Sequence, residues 1–426
     1  MLRYHQETRH SYASVRQYAH TLDWTMQPSV YKRYPERFRR FPLSSESSAG
    51  AFLRRIGGIT AQKRYPSGTY ALRANPSAGA LYPNEIYVQL RNVEGWQNGI
   101  YHYEVVSDAL VLLHTLEGDE GIEPYVGYRT PMRGFLFLVS MLYWRSSWKY
   151  RDRAYRYCLL DAGHILGNIE ASAYLLPHAV TMRYNINAEA LHRCFGFDRQ
   201  ERFVAAANVA VPIAQNEAKA VAMKLPCVDA TGTFMPNLLI ERAYEETRML
   251  LGCRKGVRAP RFHYRHERWA EAMLSRRSQR GFAKAPVSRG QFAMLQEALE
   301  APVLSDCDEP IEVYAVVHRV SDMPPGIYRN GELMKEGIFT QEAGYLCLEQ
   351  HHLCGEGAVC FFFVSRGLNY RALYQKAGIL AQRLYVVATY AGMGASGIGA
   401  YYDDETAEFL GLDAETMVLY AFAIGK

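Results

Sequence analysis

The sequence has no apolar run long enough to span a membrane. The longest candidate, 158–180, is interrupted by Asp161, His164 and Glu170. None of the eight cysteines is paired at CxxC spacing, and they are scattered from 158 to 360. The opening MLRYHQETRH lacks the pattern of a signal peptide. Together these absences point to a reducing, cytoplasmic setting and no membrane partner. There is no recognisable nucleic-acid-binding module, and a net charge of +5 is small for 426 residues. A nucleic-acid partner is therefore not expected. No Walker-type loop occurs, so a dinucleotide is expected to bind only transiently.

What is present is an ordinary globular composition, 49% apolar and 21% charged, with 31 Tyr. The length suits two domains and a large core. An internal repeat then divides the chain. At an offset of 215 residues, Gly163 meets Gly378, Ala173 meets Ala388, and FGFD (195–198) meets LGLD (410–413). Upstream, EIYVQL (85–90) matches EVYAVV (312–317), and GIY (99–101) matches GIY (326–328). The order is kept over more than a hundred residues, which implies duplication. Each copy reads as a helix, two strands, a meandering region, a strand, a long apolar helix, a short helix and a last strand. The long helices are apolar nearly all round and should be buried. The expected organisation is a first copy over 1–215 with a basic leader 1–45, a connector over 216–265, and a second copy over 266–426. In the connector, NLLIERAYEETRMLLG reads as a helix stopped by Gly252.

The copies differ where chemistry would be found. PSAGALYP (76–83) in the first lies over VLSDCDEP (303–310) in the second, and only the final Pro survives. Conversely, RRSQRGF (276–282) and SGIGAYYDD (396–404) occur only in the second copy; Met182 and Tyr184 stand where it has Gly397 and Gly399. Glycine at both places would let backbone approach a flat ligand. The first copy alone carries about ten extra residues that include YWRSSWKYRDR (143–153), with Lys149-Tyr150 at their centre.

RANPSAGALYPNE (73–85), GIYHYEVVSDALVLL (99–113), KYRDRAYRYCLLDAGH (149–164), RRSQRGF and SGIGAYYDD together resemble the nitroreductase superfamily, and more narrowly its SagB/ThcOx-type FMN-dependent dehydrogenases. The resemblance implies an α+β fold of two tandem nitroreductase-like units, an intramolecular pseudo-dimer around long central helices. It implies FMN held by Arg276, Arg277, Ser278, Arg280, Gly397, Ile398 and Gly399 from one copy. Pro76, Ser77, Ala78, Gly79 and Leu81 would come from the other. Because each copy has lost what the other keeps, the expectation is one FMN per chain. Lys149 and Tyr150 match the catalytic pair of azoline oxidases.

The residue chemistry suits these roles. A phosphate dianion calls for forked, permanently charged donors, and Arg276 and Arg280 would share a face on a helical turn, with Ser278 adding a hydroxyl. Pro76 and Pro83 stiffen a slim loop whose N–H groups can meet a flavin edge. Lys149 would remove a proton once its charged form is disfavoured. HHLC (351–354) with Cys360 fits no common zinc spacing, so no metal is expected. The implied reaction is dehydrogenation of an azoline-like heterocycle or C–N unit in a peptide-derived natural product, in company with a cyclodehydratase partner. An NAD(P)H-dependent nitro or quinone reductase is the second reading, and a flavin-free scaffold the third. The chain would be a pseudo-dimeric monomer, open to further dimerisation.

Overall fold

The computed structural model describes residues 3–17, 21–44, 46–65, 68–213 and 216–426, the Tyr65 side chain excepted. The expected boundary at residue 215 and the start of the leader lie outside them. The chain folds as two compact units: Asp23–Phe262 with Pro302–Asp308, and Met1–Leu22 with His263–Ala301 and Glu309–Lys426. They are called the N-terminal and C-terminal units below.

The N-terminal unit is built on a seven-stranded sheet. Its strands run in the order Arg40–Pro42, Ala109–Thr115, Gly99–Glu104, Asn84–Arg91, Met132–Met141, Arg202–Pro212 and Thr181–Arg183, every neighbouring pair antiparallel. The C-terminal unit has six strands: Glu332–Glu336, Gly326–Arg329, Glu312–Val317, Val359–Ser365, Met417–Gly425 and Gly394–Ile398, again antiparallel throughout. Apart from the extra edge strand Arg40–Pro42, the two orders coincide. Each strand order places a chain-terminal strand of the repeat between the central strand and the edge.

Each unit has one long helix. Ala154–Ala173 buries all 20 of its residues, as its all-round apolar pattern requires. Its polar groups find partners: Asn168 donates to the Ile56 carbonyl at 3.0 Å and Ser172 to that of Phe52 at 3.2 Å, pinning the helix Ser48–Gly57 against it. Tyr370–Tyr390 is the C-terminal counterpart. There Arg383 donates to the carbonyls of Ala298 and Ala301, at the end of helix Arg289–Glu300, where orphan carbonyls need donors.

Three local expectations change. The connector helix is Leu238–Glu246 and stops well before Gly252. Asn237 caps its start, and the Thr247 hydroxyl takes the Ala243 carbonyl at its end. The acidic stretch opposite PSAGALYP has become a β partner within the N-terminal unit. Met182 N–H donates to the Leu304 carbonyl, Asp306 N–H to that of Met182, and the Asp306 carboxylate accepts from Tyr184 and Asn185 N–H. Finally, Cys253 and Cys307 form a disulfide across 54 residues of sequence, against the fully reduced set that their scatter suggested. Early leader residues belong to the C-terminal unit: His10 N–H donates to the Asp403 carboxylate at 2.8 Å, and Asp403 N–H returns to the His10 carbonyl at 2.7 Å.

Candidate functional site

In the N-terminal unit, strand Gly68–Arg73 delivers the chain into loop 76–83, and strand Asn84–Arg91 receives it. The loop is tightly wound. Gly79, Ala80 and Tyr82 have φ of 64°, 55° and 45°. Left-handed conformations at two non-glycine residues store strain that the surroundings must hold, a pattern that clusters at functional sites.

Those surroundings are specific. Ser77 Oγ donates to the Asp161 carboxylate at 2.5 Å, Ala78 N–H reaches it at 3.4 Å, and Tyr82 N–H donates back to Ser77 Oγ at 2.8 Å. Arg73 stacks on the Tyr82 ring at 4.4 Å, while its N–H donates to the Tyr82 hydroxyl. Arg145 donates to the Tyr82 carbonyl at 3.0 Å and to Glu85 at 2.6 Å. His102 completes the Glu85 pairing at 2.8 Å. Burial alone would raise the Glu85 carboxyl, but Arg145 and His102 bring it down to about 2. Arg73, Glu85 and His102 thus act as loop and strand anchors. Asp161 was visible in the sequence only as a break in an apolar run; its role needed the loop to fold back onto the long helix.

Lys149 and Tyr150 close the helix Trp144–Tyr150 and are half-buried. This short helix is fixed from outside. Trp148 Nε1 donates to the Asp23 carbonyl at 2.9 Å and its ring meets Trp24 edge-on. The helix stops abruptly at Arg151, whose φ of 48° and ψ of −132° are unusual for a residue with a Cβ. Tyr150 packs edge-on against Tyr157 at 4.6 Å. A Cβ placed on Gly79 would lie 2.7 Å from the Tyr150 hydroxyl and 3.4 Å from Lys149 Nζ. The two motifs found only in the first copy are therefore adjacent. The Gly79 N–H has no hydrogen-bond partner among the described residues. Pro76 and Leu81 are buried beneath the loop, with Ser77, Ala78 and Gly79 toward its surface.

The Asp161 carboxyl is pushed up to about 7 by its burial, against the smaller lowering effects of Ser77 and Ala78. The folded chain therefore holds this proton well above the ordinary carboxyl range. The associated stability is fully present below about pH 4 and is lost as pH rises through about 7. Thermal melts of the wild type should lose ground over that window, and those of Asp161→Asn should be flatter. Parallel profiles would remove Asp161 from this account.

The C-terminal unit holds the remaining expected residues. Helix His266–Ser275 ends before the Arg-Ser-x-Arg run, which is extended and not helical as expected. Ser278 bridges alongside Ala395, and Gln279 N–H donates to the Ala395 carbonyl at 2.9 Å. The run therefore lies along the strand Gly394–Ile398. Arg276 is buried, and its guanidinium sits 5.0 Å from the Tyr385 ring centre; Ser278 and Arg280 are exposed. Arg277 turns back to the carbonyls of Leu274 and Arg276. Tyr385, on the long helix, joins both motifs: its hydroxyl meets Ser278 Oγ at 2.8 Å and accepts from Gly397 N–H at 2.7 Å. No sequence signal singled it out.

The glycine argument also changes. A Cβ on Gly397 would come within van der Waals overlap of the Tyr420 hydroxyl, so packing inside the unit already demands glycine there. Ile398 lies in the core cluster of this unit. Gly399 is half-buried, directly after the strand. Gly392, Gly394 and Gly397 form a Gly-x-Gly-x-x-Gly run that a sequence reading passes over. It follows a helix and enters a strand, the reverse of the dinucleotide-binding context.

Comparison with known proteins agrees with this architecture. A family model described as "Nitroreductase family" matches residues 273–426. The chain is 32% identical over 121 residues to the trifolitoxin-processing protein TfxB of Rhizobium leguminosarum bv. trifolii, covering 26% of this chain and 32% of that one. It is 32% identical over 103 residues to the microcin B17-processing protein McbC of Escherichia coli, covering 22% and 38%. The matches thus span well under half of these curated relatives. The crystal structure of a candidate nitroreductase from Anabaena variabilis superposes with a TM-score of 0.79 at 25% identity, over 99% of this chain and 98% of that one. Among the described residues, no helix is long and apolar enough to cross a membrane.

Proposed function

The chain belongs to the nitroreductase superfamily, and from that premise we propose that it is an FMN-dependent dehydrogenase of the SagB/ThcOx kind. Its substrate is an azoline-like ring or comparable C–N unit in a peptide-derived natural product. The carrying observation is the adjacency of Lys149 Nζ and the Tyr150 hydroxyl to Gly79, at the tip of the Pro-Ser loop. Similarity to proteins named for the processing of trifolitoxin and microcin B17 supports a role in natural-product processing.

The residues fit a flavin. The Gly79 N–H is a donor with no hydrogen-bond partner among the described residues, on a loop clamped by Asp161 and Arg145. Taken by itself, the C-terminal unit carries in Arg276, Ser278 and Arg280 the forked and hydroxyl donors that a phosphate needs. When bound, FMN supplies a two-electron acceptor for hydride. Lys149 takes the substrate proton in its neutral form, and Tyr150 orients it, so that ring oxidation removes one hydride and one proton. Glycine at position 79 leaves room for the Tyr150 hydroxyl and Lys149 Nζ to approach the loop backbone.

The complementary motif losses in the sequence support one flavin per chain. Purified protein should carry one equivalent of FMN by absorbance against amino-acid analysis. Two equivalents, or none after reconstitution, would rule the reading out. Near-complete superposition on a candidate nitroreductase favours NAD(P)H-dependent nitro or quinone reduction as the second reading. Rapid bleaching of the flavin by NAD(P)H, with no azoline turnover, would select it.

A further inference from the structure

Three cysteines of the C-terminal unit meet at one point that the flavin chemistry does not use. Cys347 follows helix Thr340–Leu346, Cys354 lies in the π-turn His351–Gly355, and Cys360 is on strand Val359–Ser365. Their sulfur atoms all lie within 4.8 Å of one another, and all three residues are fully buried. These are all the cysteines between Glu309 and Lys426. Core filling alone gives no reason for three elements to direct sulfur to one spot, because Ala or Val would fill the same space.

The backbone that brings them together is irregular. Leu348 and Glu349 are consecutive non-glycine residues with φ of 55° and 60°, and the π-turn follows directly. Both features are costly and concentrate at functional sites. His318 touches the backbone of the trio, although its ring nitrogens are not within 4.8 Å of all three sulfurs. Its Nε2 donates to the Cys354 carbonyl at 2.8 Å, which fixes the tautomer and leaves Nδ1 a bare lone pair. That Nδ1 is buried with no hydrogen-bond partner among the described residues. His318 N–H donates to the Ala358 carbonyl, and Val316 pairs with Cys360, so His318 shares a sheet face with Cys360. A ring nitrogen held by a backbone carbonyl on its far side is the usual preparation of a metal-ligating histidine.

We propose that Cys347, Cys354 and Cys360 bind a thiophilic divalent ion, Zn(II) by its ligand chemistry, with His318 as the fourth ligand. Tetrahedral Zn–S bonds of about 2.3 Å place sulfurs about 3.8 Å apart, so the trio needs to contract by no more than about 1 Å, while the His318 ring, which lies outside the 4.8 Å cluster, must swing further to reach the fourth position. Binding releases three thiol protons to solvent and leaves a net charge of −1 on the site. The Arg319 guanidinium, donating to the Gly355 and Gly357 carbonyls at 2.9 and 2.8 Å beside Cys354, offsets it. The HHLC run hid this set. His351 and His352 are not the partners; Cys347 and His318, four and 36 residues upstream of His351 and Cys354, are.

The test uses the full chain, purified under reductant and stripped with a chelator. Titration with Co(II) should give one equivalent with an intense thiolate-to-cobalt charge-transfer band, and Zn(II) should displace it and raise the melting temperature. Cys227→Ser, at an exposed cysteine, should leave the band unchanged. Cys360→Ser should abolish it without reducing bound FMN. His318→Ala should weaken binding by about tenfold or more. A wild-type chain that gives no thiolate–cobalt band, or whose trio only forms a disulfide, overturns the proposal whether or not any variant folds. An unchanged affinity in His318→Ala overturns the fourth ligand.

Discussion

Lys149→Ala is expected to lower substrate oxidation by about 10² to 10⁴-fold, the range for loss of a positioned proton acceptor, while bound FMN stays at the wild-type level. The reasoning is local. Lys149 Nζ stands at the tip of the loop, 3.4 Å from where a Gly79 Cβ would lie, on a helix held by Trp148 and Trp24 independently of the lysine. Shortening the side chain leaves those contacts in place. Single-turnover bleaching of the flavin by substrate measures the step directly. Rates within a factor of three of wild type would dispose of the assignment to Lys149. Loss of flavin together with rate would point to a structural role.

Arg145→Met should destabilise the chain by about 3 to 5 kcal/mol, because it leaves the buried Glu85 carboxylate without its strongest partner. Arg145 is 0% exposed and Glu85 3%. The guanidinium also donates to the carbonyls of Ser29 and Tyr82, so three acceptors lose a donor at once. In the wild type, Glu85 is held at about 2, and its stabilisation is present above about pH 4.5 and lost as pH falls toward 2. Urea denaturation across that window should show the acid loss in the wild type and a smaller one in Arg145→Met. The same change frees the end of loop 76–83, so FMN content should fall too. A loss under 1 kcal/mol would show that Glu85 is satisfied otherwise.

Much of the architecture was legible because it is periodic or repeated. The match of EIYVQL with EVYAVV picked out two strands that occupy the same place in their sheets. The all-round apolar pattern over 158–180 predicted a buried helix, and Ala154–Ala173 is one. The Pro-Ser loop and the Lys-Tyr pair were each marked by being present in one copy and absent from the other. Their adjacency was not legible, since 70 residues separate Gly79 from Lys149 and no pattern connects them.

Local composition therefore determined which segments are strands, long helices and candidate chemistry in this protein. Hydrophobic period and chain stiffness act over a few residues and are written in neighbouring letters. The tertiary structure alone decided that Asp161 clamps Ser77, that Tyr385 joins Arg-Ser-x-Arg to Gly-x-Gly, and that Gly397 is required by Tyr420. It also decided that Cys253 meets Cys307 and that three more cysteines converge. These are contacts between side chains brought together by sheet register and helix packing. Their energies depend on distance and burial in the folded chain, and sequence separation carries no record of either.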